Sequence, residues 1–244
     1  LPELCLTGYG CEDFFLSDDV HAQSLQQLDR LLPHTQGLFV PIGLPLTYQK
    51  KRYNAVAVLA DQQLLGFVCK KVLANTGIHY EHRWFSPWPM GVSDNIMIQN
   101  KDYPIGDLLF NLNGYRIGFE ICEEAWVDQR VGTQLSQDGV DLILNPSASH
   151  FAFGKHLQRQ RLVCEGSKQF NVAYLYANQL GCESGRAIYD GRGMIAHQGR
   201  LIAQSTRLSF ESMQTISSHL DLTKQTKKLS SKMKEIVIEM TLSS

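Results

Sequence analysis

The sequence predicts an α/β fold whose sheets are mixed rather than wholly parallel. Strand-length apolar runs at 37–44, 55–59, 115–121, 141–145 and 172–177 alternate with stretches of helical period. Turns at Asp61-Gln62 and Asn113-Gly114 join some of these runs as hairpins, which brings antiparallel pairs into the sheets. The run 115–126 alternates apolar residues as far as Ile117, Phe119 and Ile121, then becomes Glu-Glu-Ala-Trp directly after Cys122. That change of period marks a strand running into the first turn of a helix.

The elements follow in order. Leu1-Pro2-Glu3-Leu4-Cys5-Leu6 reads as the end of a strand already under way. Ser17 caps a helix with Asp18 and Asp19 in its first turn, and Leu25, Leu28, Leu31 and Leu32 recur at helical spacing. Residues 37–44 form a buried strand ending at Pro45, and 55–59 with 64–70 form a hairpin. Trp84, Phe85, Pro87, Trp88 and Pro89 mark an aromatic loop, followed by short strands at 95–99 and 107–110. After the strand that reaches Cys122 come a helix over 131–137, a strand over 141–145, a helix over 154–170 and a strand over 172–177. Residues 187–189 and 201–204 are short strands beside the Gly191/Gly193 and Gln198-Gly199 turns, and 227–240 is a terminal helix.

Bulk composition narrows the function. A chain of 244 residues, 43% of them hydrophobic, can fill the core of one large domain or two small ones. With 23 Lys+Arg against 24 Asp+Glu, there is no nucleic-acid footprint; Lys224, Lys227, Lys228, Lys232 and Lys234 read as a solvated helix face or linker. Cys5, Cys11, Cys69, Cys122, Cys164 and Cys182 form no CxxC pair, so neither a zinc ribbon nor a disulfide framework is indicated. His79, His82 and His150 match no metal-ligand spacing and read as solvated or core-satisfied. No secretory signal and no apolar stretch of bilayer length is present, and a reduced, cytoplasmic compartment is the expectation.

Cys122 is the residue richest in chemistry. At a strand-to-helix corner a cysteine is a candidate nucleophile, because the turn pushes the sulfur into a cleft and aims backbone N–H groups at an oxyanion. A buried structural cysteine fits the same position, since free Cys is among the most buried residue types.

Three segments taken together resemble the carbon–nitrogen hydrolase (nitrilase) superfamily. They are Pro2-Glu3-Leu4 with Leu6-Thr7-Gly8-Tyr9; Lys70-Lys71-Val72-Leu73 continuing to Glu81-His82-Arg83-Trp84-Phe85; and Gly118-Phe119-Glu120-Ile121-Cys122-Glu123-Glu124. With Asn145-Pro-Ser-Ala-Ser-His150 and Gly154-Lys155, they are similar more narrowly to the glutamine amidohydrolase domains of glutamine-dependent NAD⁺ synthetases. The resemblance covers residues 1–222, taken as the hydrolase domain, and leaves 223–244 as a helical segment or linker toward a synthetase domain. It implies a four-layer α-β-β-α sandwich that here lacks the family's first strand and helix.

The resemblance also implies a site. Glu3, Lys70 and Cys122 fall on the family's Glu-Lys-Cys triad: Cys122 as nucleophile, Glu3 as general base and acid, and Lys70 as the fixed cation for the developing oxyanion. Lys71 is the neighbour that strand alternation sends to the other face. Glu81 matches a second glutamate that holds the lysine, with an ion pair to Arg83 as the rival reading. Glu123, Ser149 and Lys155 match residues that hold the glutamine zwitterion. Lys155 stands where many relatives carry Arg, and Thr76 where an aromatic is common. The implied partners are L-glutamine and a synthetase domain, with a homo-oligomer in the full enzyme. No cofactor is expected for amide hydrolysis. ATP and Mg²⁺ would belong to the synthetase domain, whose Ser-Gly-Gly-x-Asp-Ser loop does not occur in these 244 residues. A stand-alone amidase or carbamoylase, and a catalytically inactive interaction domain, remain the alternatives.

Overall fold

In the computed structural model, which describes residues 1–183, 186–222 and 233–240, helix α1 (Asp18–Leu31) begins directly after Ser17. The serine occupies the N-cap position but makes no side-chain cap bond, so the acidic first turn (Asp18, Asp19) carries the complement to the helix dipole. His21, Ser24 and Leu28 are the buried stripe, at spacings of three and four.

That helix belongs to the first of two units into which the chain divides, built on Glu3–Asn113 and the strand Lys234–Ile238. Its main sheet contains β1 (Phe39–Tyr48), β2 (Lys51–Ala60), β3 (Gln63–Cys69), β4 (Ser93–Ile98) and β5 (Lys101–Gly106), in the order β1-β2-β3-β5-β4. The core of this unit joins Leu28 of α1 to Ile42, Leu44 and Leu46 of β1, Ala55, Ala57 and Leu59 of β2, and Phe67 of β3. Ile42, Leu44 and Leu46, at every second position of β1, present one face of the strand to that core.

β1 continues to Tyr48, past the Pro45 at which the sequence suggests a stop. It is an edge strand of this sheet, where a missing N–H costs no ladder bond, so Pro41 and Pro45 are both tolerated. Gln49 and Lys50 make the tight turn to β2 with φ of 47° and 62°, a left-handed pair that carries no Asn-Gly signal. Asp61 and Gln62 turn β2 into β3 in the same way. After β5 comes β6 (Leu108–Leu112).

Two terminal expectations are corrected. Residues 1–6 are not strand: Leu4 turns at φ 49°, its carbonyl accepts from Thr7 and Gly8 N–H, and one bond from Leu6 N–H to Gly43 O (3.1 Å) ties the segment to β1. The expected helix over 227–240 is a strand over Lys234–Ile238, parallel to β6. β-Branched Ile236, Val237 and Ile238 favour the extended ladder, and Asn113 bonds both N and O of Met240 beyond it. Residues 227–232 of that expected helix lie outside the described residues.

The second unit is built on residues 114–222. β7 (Tyr115–Phe119) is followed by α2 (Val131–Gln137), β8 (Leu142–Ser147), α3 (Lys155–Gln169) and β9 (Ala173–Asn178). β7, β8 and β9 are parallel neighbours, as βα alternation requires. β10 (Leu180–Glu183) and β11 (Ala187–Asp190) form a small antiparallel pair of their own. β12 (Met194–His197), not anticipated from the sequence, and β13 (Arg200–Gln204) extend the sheet from β9 through a Gln198-Gly199 turn. Antiparallel and parallel pairs thus share one sheet, so the α/β class with mixed sheets is confirmed. Gly118 of β7 is needed for packing: a Cβ there would lie 2.6 Å from Leu135 of α2. No helix among the described residues is long and apolar enough to cross a membrane.

Candidate active site

In the first unit the structure gathers Glu3, Lys70 and Glu81. Lys70 follows the last residue of β3, and its N–H donates to Asn54 O on β2 (2.9 Å), so the chain is still held extended as it leaves the sheet. Its Nζ donates to Glu3 Oε1 at 2.6 Å and to Glu81 Oε1 at 2.8 Å, with all three side chains closed to solvent. Asn54 Nδ2 donates to the same Glu3 oxygen (2.7 Å). Tyr9 Oη donates to Glu81 Oε1 (2.7 Å), and Ala74 N–H to Glu81 Oε2 (3.1 Å). His79 Nδ1 stands 3.1 Å from Tyr9 Oη.

Burial pushes the Glu81 carboxyl above its ordinary pKa; the Lys70 ammonium opposes this and the Glu3 charge adds to it. A cation shared by two buried carboxylates is held against solvation and has almost no freedom to reorient. The rival pairing of Glu81 with Arg83 is excluded, because Arg83 forks onto Asp13 at 2.6 and 2.7 Å. Lys71 reaches Asp107 Oδ1 (3.1 Å) instead of the Glu3–Glu81 cluster.

The second unit places Cys122 at the start of a single 3₁₀ turn, Cys122–Ala125, three residues beyond Phe119, the last residue of β7. The cysteine is buried, with φ at 45°. A non-glycine residue held left-handed costs on the order of 1–3 kcal/mol, which surrounding contacts must supply. Glu124 Oε2 accepts from Ile121 N–H (2.6 Å) and Glu124 N–H returns a bond to Ile121 O (3.1 Å), closing the turn around Cys122. Glu120 accepts from Arg130 Nη2 (2.7 Å), Gly132 N–H (2.8 Å) and Tyr174 Oη, fastening the strand end to the first turn of α2.

Ser149 lies two residues past β8 and is fixed through its backbone. Its N–H donates to Asn178 Oδ1 (2.8 Å), and its carbonyl accepts from Asn178 Nδ2 (3.0 Å) and Arg159 Nη1 (3.2 Å). Arg159 is itself clamped by both oxygens of Asp190, at 2.6 and 2.7 Å. Ser149 Oγ is buried and has no hydrogen-bond partner among the described residues. Among buried polar groups such an orphaned hydroxyl is uncommon.

Lys155 opens α3 after Gly154 (φ 77°), with its Nζ 5.9 Å from the centre of the Trp126 ring. No carboxylate lies within 4.0 Å of it among the described residues. Burial lowers its pKa, while the Cys122 thiolate and Glu123 carboxylate favour its charge and Arg159 opposes it. Cys122, Glu123 and Lys155 therefore share one electrostatic neighbourhood, with Ser149 on the segment that leads into α3. Tyr176 is pushed up by burial, and Cys122 adds to that rise.

Glu120 and His150 stand inside the sequence motifs without a catalytic or binding role assigned to them, and Asn178, Arg159 and Asp190 lie outside those motifs. Glu120 does carry a signal, a carboxylate inside an otherwise apolar strand. Asn178 and Asp190 come from β9 and β11 and carry none that is local. Among the described residues no group of His, Cys, Asp or Glu side chains is gathered to hold a metal ion.

Comparison with known proteins gives this geometry a family. The sequence profile of the carbon–nitrogen hydrolases matches residues 1–228. The chain is 36% identical to the glutamine-dependent NAD(+) synthetase of Saccharomyces cerevisiae and 35% identical to that of Mus musculus, over 91% of its own length and 32% of theirs. It therefore spans about a third of the length of those curated relatives. A crystal structure of a glutamine-dependent NAD(+) synthetase from Cytophaga hutchinsonii superposes with a TM-score of 0.80 at 45% identity, covering 86% of this chain and 35% of that one. A carbon-nitrogen hydrolase from Helicobacter pylori G27, at 16% identity, shares the fold with a TM-score of 0.68 over 84% of this chain and 72% of its own. The architecture is the nitrilase-type fold, and the chain belongs to the carbon–nitrogen hydrolase family.

Proposed function

We propose that the chain hydrolyses the side-chain amide of glutamine through a thioester on Cys122, supplying ammonia for an amidation carried out by a synthetase domain. The observation that carries this reading is the set around Cys122. Glu123 can accept from an α-ammonium, while Ser149 Oγ and Lys155 Nζ can donate to an α-carboxylate. Such a set matches a free amino acid rather than a simple amide. The relatives that carry the words glutamine-dependent in their names agree with it.

In this reading the Cys122 sulfur attacks the amide carbon as Glu3 takes the thiol proton. The C–N bond then breaks, and Glu3 returns the proton to the departing ammonia. Water, activated by Glu3, adds to the thioester, releases glutamate and restores the thiol. Lys70 is the cation assigned to the carbonyl oxygen while it carries negative charge, and its two buried carboxylates spare it any reorientation. Glu81 holds Lys70 in place.

The test is ammonia release from glutamine against a panel of other carboxamides and carbamoyl compounds, with labelling by a glutamine-analogue electrophile. Glutamine should be preferred, and label should appear on wild type but not on Cys122→Ala. Preference for another carboxamide would replace glutamine as substrate, and absence of both turnover and label would refute the enzymatic reading.

A further inference from the structure

Lys155 is the cation of the proposed substrate subsite, and its nearest polar neighbour is a histidine rather than an acid. Nζ lies 3.3 Å from His150 Nδ1 and 3.5 Å from Nε2. Two ring nitrogens at nearly equal distance place Nζ over the face of the ring, because an in-plane lone pair would leave the other nitrogen much farther away; an imidazolium would repel the ammonium, so the contact requires a neutral ring whose π face meets the lysine. The surroundings favour that state. Burial disfavours the charged ring, and Lys155 and Arg159 repel it; Asp190 opposes them but is engaged by Arg159.

The backbone on both sides of His150 is held. The histidine follows Ser149, whose N–H and carbonyl are both held by Asn178 and whose carbonyl is also held by Arg159. Phe151 N–H on its other side donates to Ile188 O of β11 (2.6 Å). Lys155 itself starts at a helix N-terminus, where the dipole repels a cation. A flexible four-carbon side chain in that position needs a partner to keep its charge in one place.

We infer that His150 is a positioning residue for substrate recognition: its neutral ring holds the Lys155 ammonium where the carboxylate of an amino-acid substrate arrives. This supplies the orientation that a point charge lacks in comparison with an arginine fork. The inference rests on the glutamine reading above and adds a residue to it.

The test uses the full chain and the variants His150→Leu and His150→Phe. His150→Leu keeps a side chain of similar bulk but removes the π face; it should raise the glutamine KM about tenfold, the loss of one desolvated cation–π contact, with kcat within about twofold. His150→Phe restores a π face and should bring KM back to within about threefold of wild type. Alkylation of Cys122 by iodoacetamide, which has no carboxylate, should proceed at the wild-type rate in both. An unchanged KM in His150→Leu, with active wild type, overturns this inference alone. A parallel fall in kcat and alkylation rate, without rescue by Phe, shows a merely structural histidine and overturns it too. If wild type releases no ammonia from glutamine, the substrate reading falls first and this one with it.

Discussion

Lys70 Nζ lies 2.8 Å from Glu81 Oε1, and neither side chain has any exposure to solvent. Removing one member of a buried pair leaves an uncompensated charge, at a typical cost of about 3–5 kcal/mol. Lys70→Met should therefore both abolish ammonia release and lower the unfolding free energy by that order, measured by denaturant titration.

The same cluster makes a pH signature. The folded protein binds a proton at Glu81 more tightly than the unfolded chain does, since burial raises its pKa. The contribution of Glu81 is thus fully present below the ordinary glutamate range and is lost as pH climbs through the raised folded value. Thermal melts across that window should show wild type losing stability with rising pH more steeply than Glu81→Gln. Parallel curves would show that Glu81 does not titrate abnormally.

Strain at Cys122 can be separated from its chemistry. Cys122→Ala and Cys122→Gly should both be inactive, but glycine is at ease at φ 45° and alanine is not. The glycine variant should be the more stable of the two by about 1 kcal/mol, in paired denaturant melts. Equal stability would mean that the turn around Glu124 imposes no strain.

Lys155 must be charged to hold a carboxylate, and burial lowers its pKa from the usual lysine value. As pH rises toward that lowered value the ammonium is lost, and glutamine KM should increase on the alkaline side. Lys155→Arg keeps its charge throughout, so its KM should stay flat over the same interval. An alkaline rise common to both would assign the titration to another group.

Asn178 joins β9 to the backbone of Ser149 by two bonds and to Gly191 O by a third. Asn178→Ala should cost about 1–3 kcal/mol through the groups left unpaired. It should also raise glutamine KM more than it lowers kcat, read from steady-state kinetics beside a melting curve.

The helix of α1, the Asp61-Gln62 hairpin and the β7-to-Cys122 corner were all legible because each rests on local spacing and turn chemistry. The hairpin at Gln49-Lys50 was not, since its left-handed residues are ones that other turns rarely select and Pro45 argued for a stop. The C-terminal segment read as helix on its polar spacing, yet Lys234–Ile238 pairs with β6, a partner more than a hundred positions away in sequence. There the β-branched run Ile236-Val237-Ile238 and the pairing with β6 act together to set the strand.

For the proposed site, the sequence alone supplied the chemical inventory: Cys122 at its corner, Glu3, Lys70 and Glu81 in family order, and Glu123, Ser149 and Lys155 beyond them. Their residue types and order are one-dimensional facts. Only the tertiary structure decided what surrounds them: that Lys70 is closed between Glu3 and Glu81, that Arg83 belongs to Asp13, that Ser149 Oγ is left open while its backbone is pinned, and that Lys155 leans on His150. Burial and hydrogen-bond partnership depend on which distant segments the sheets bring alongside, and those quantities set the charge and orientation of every group in the site.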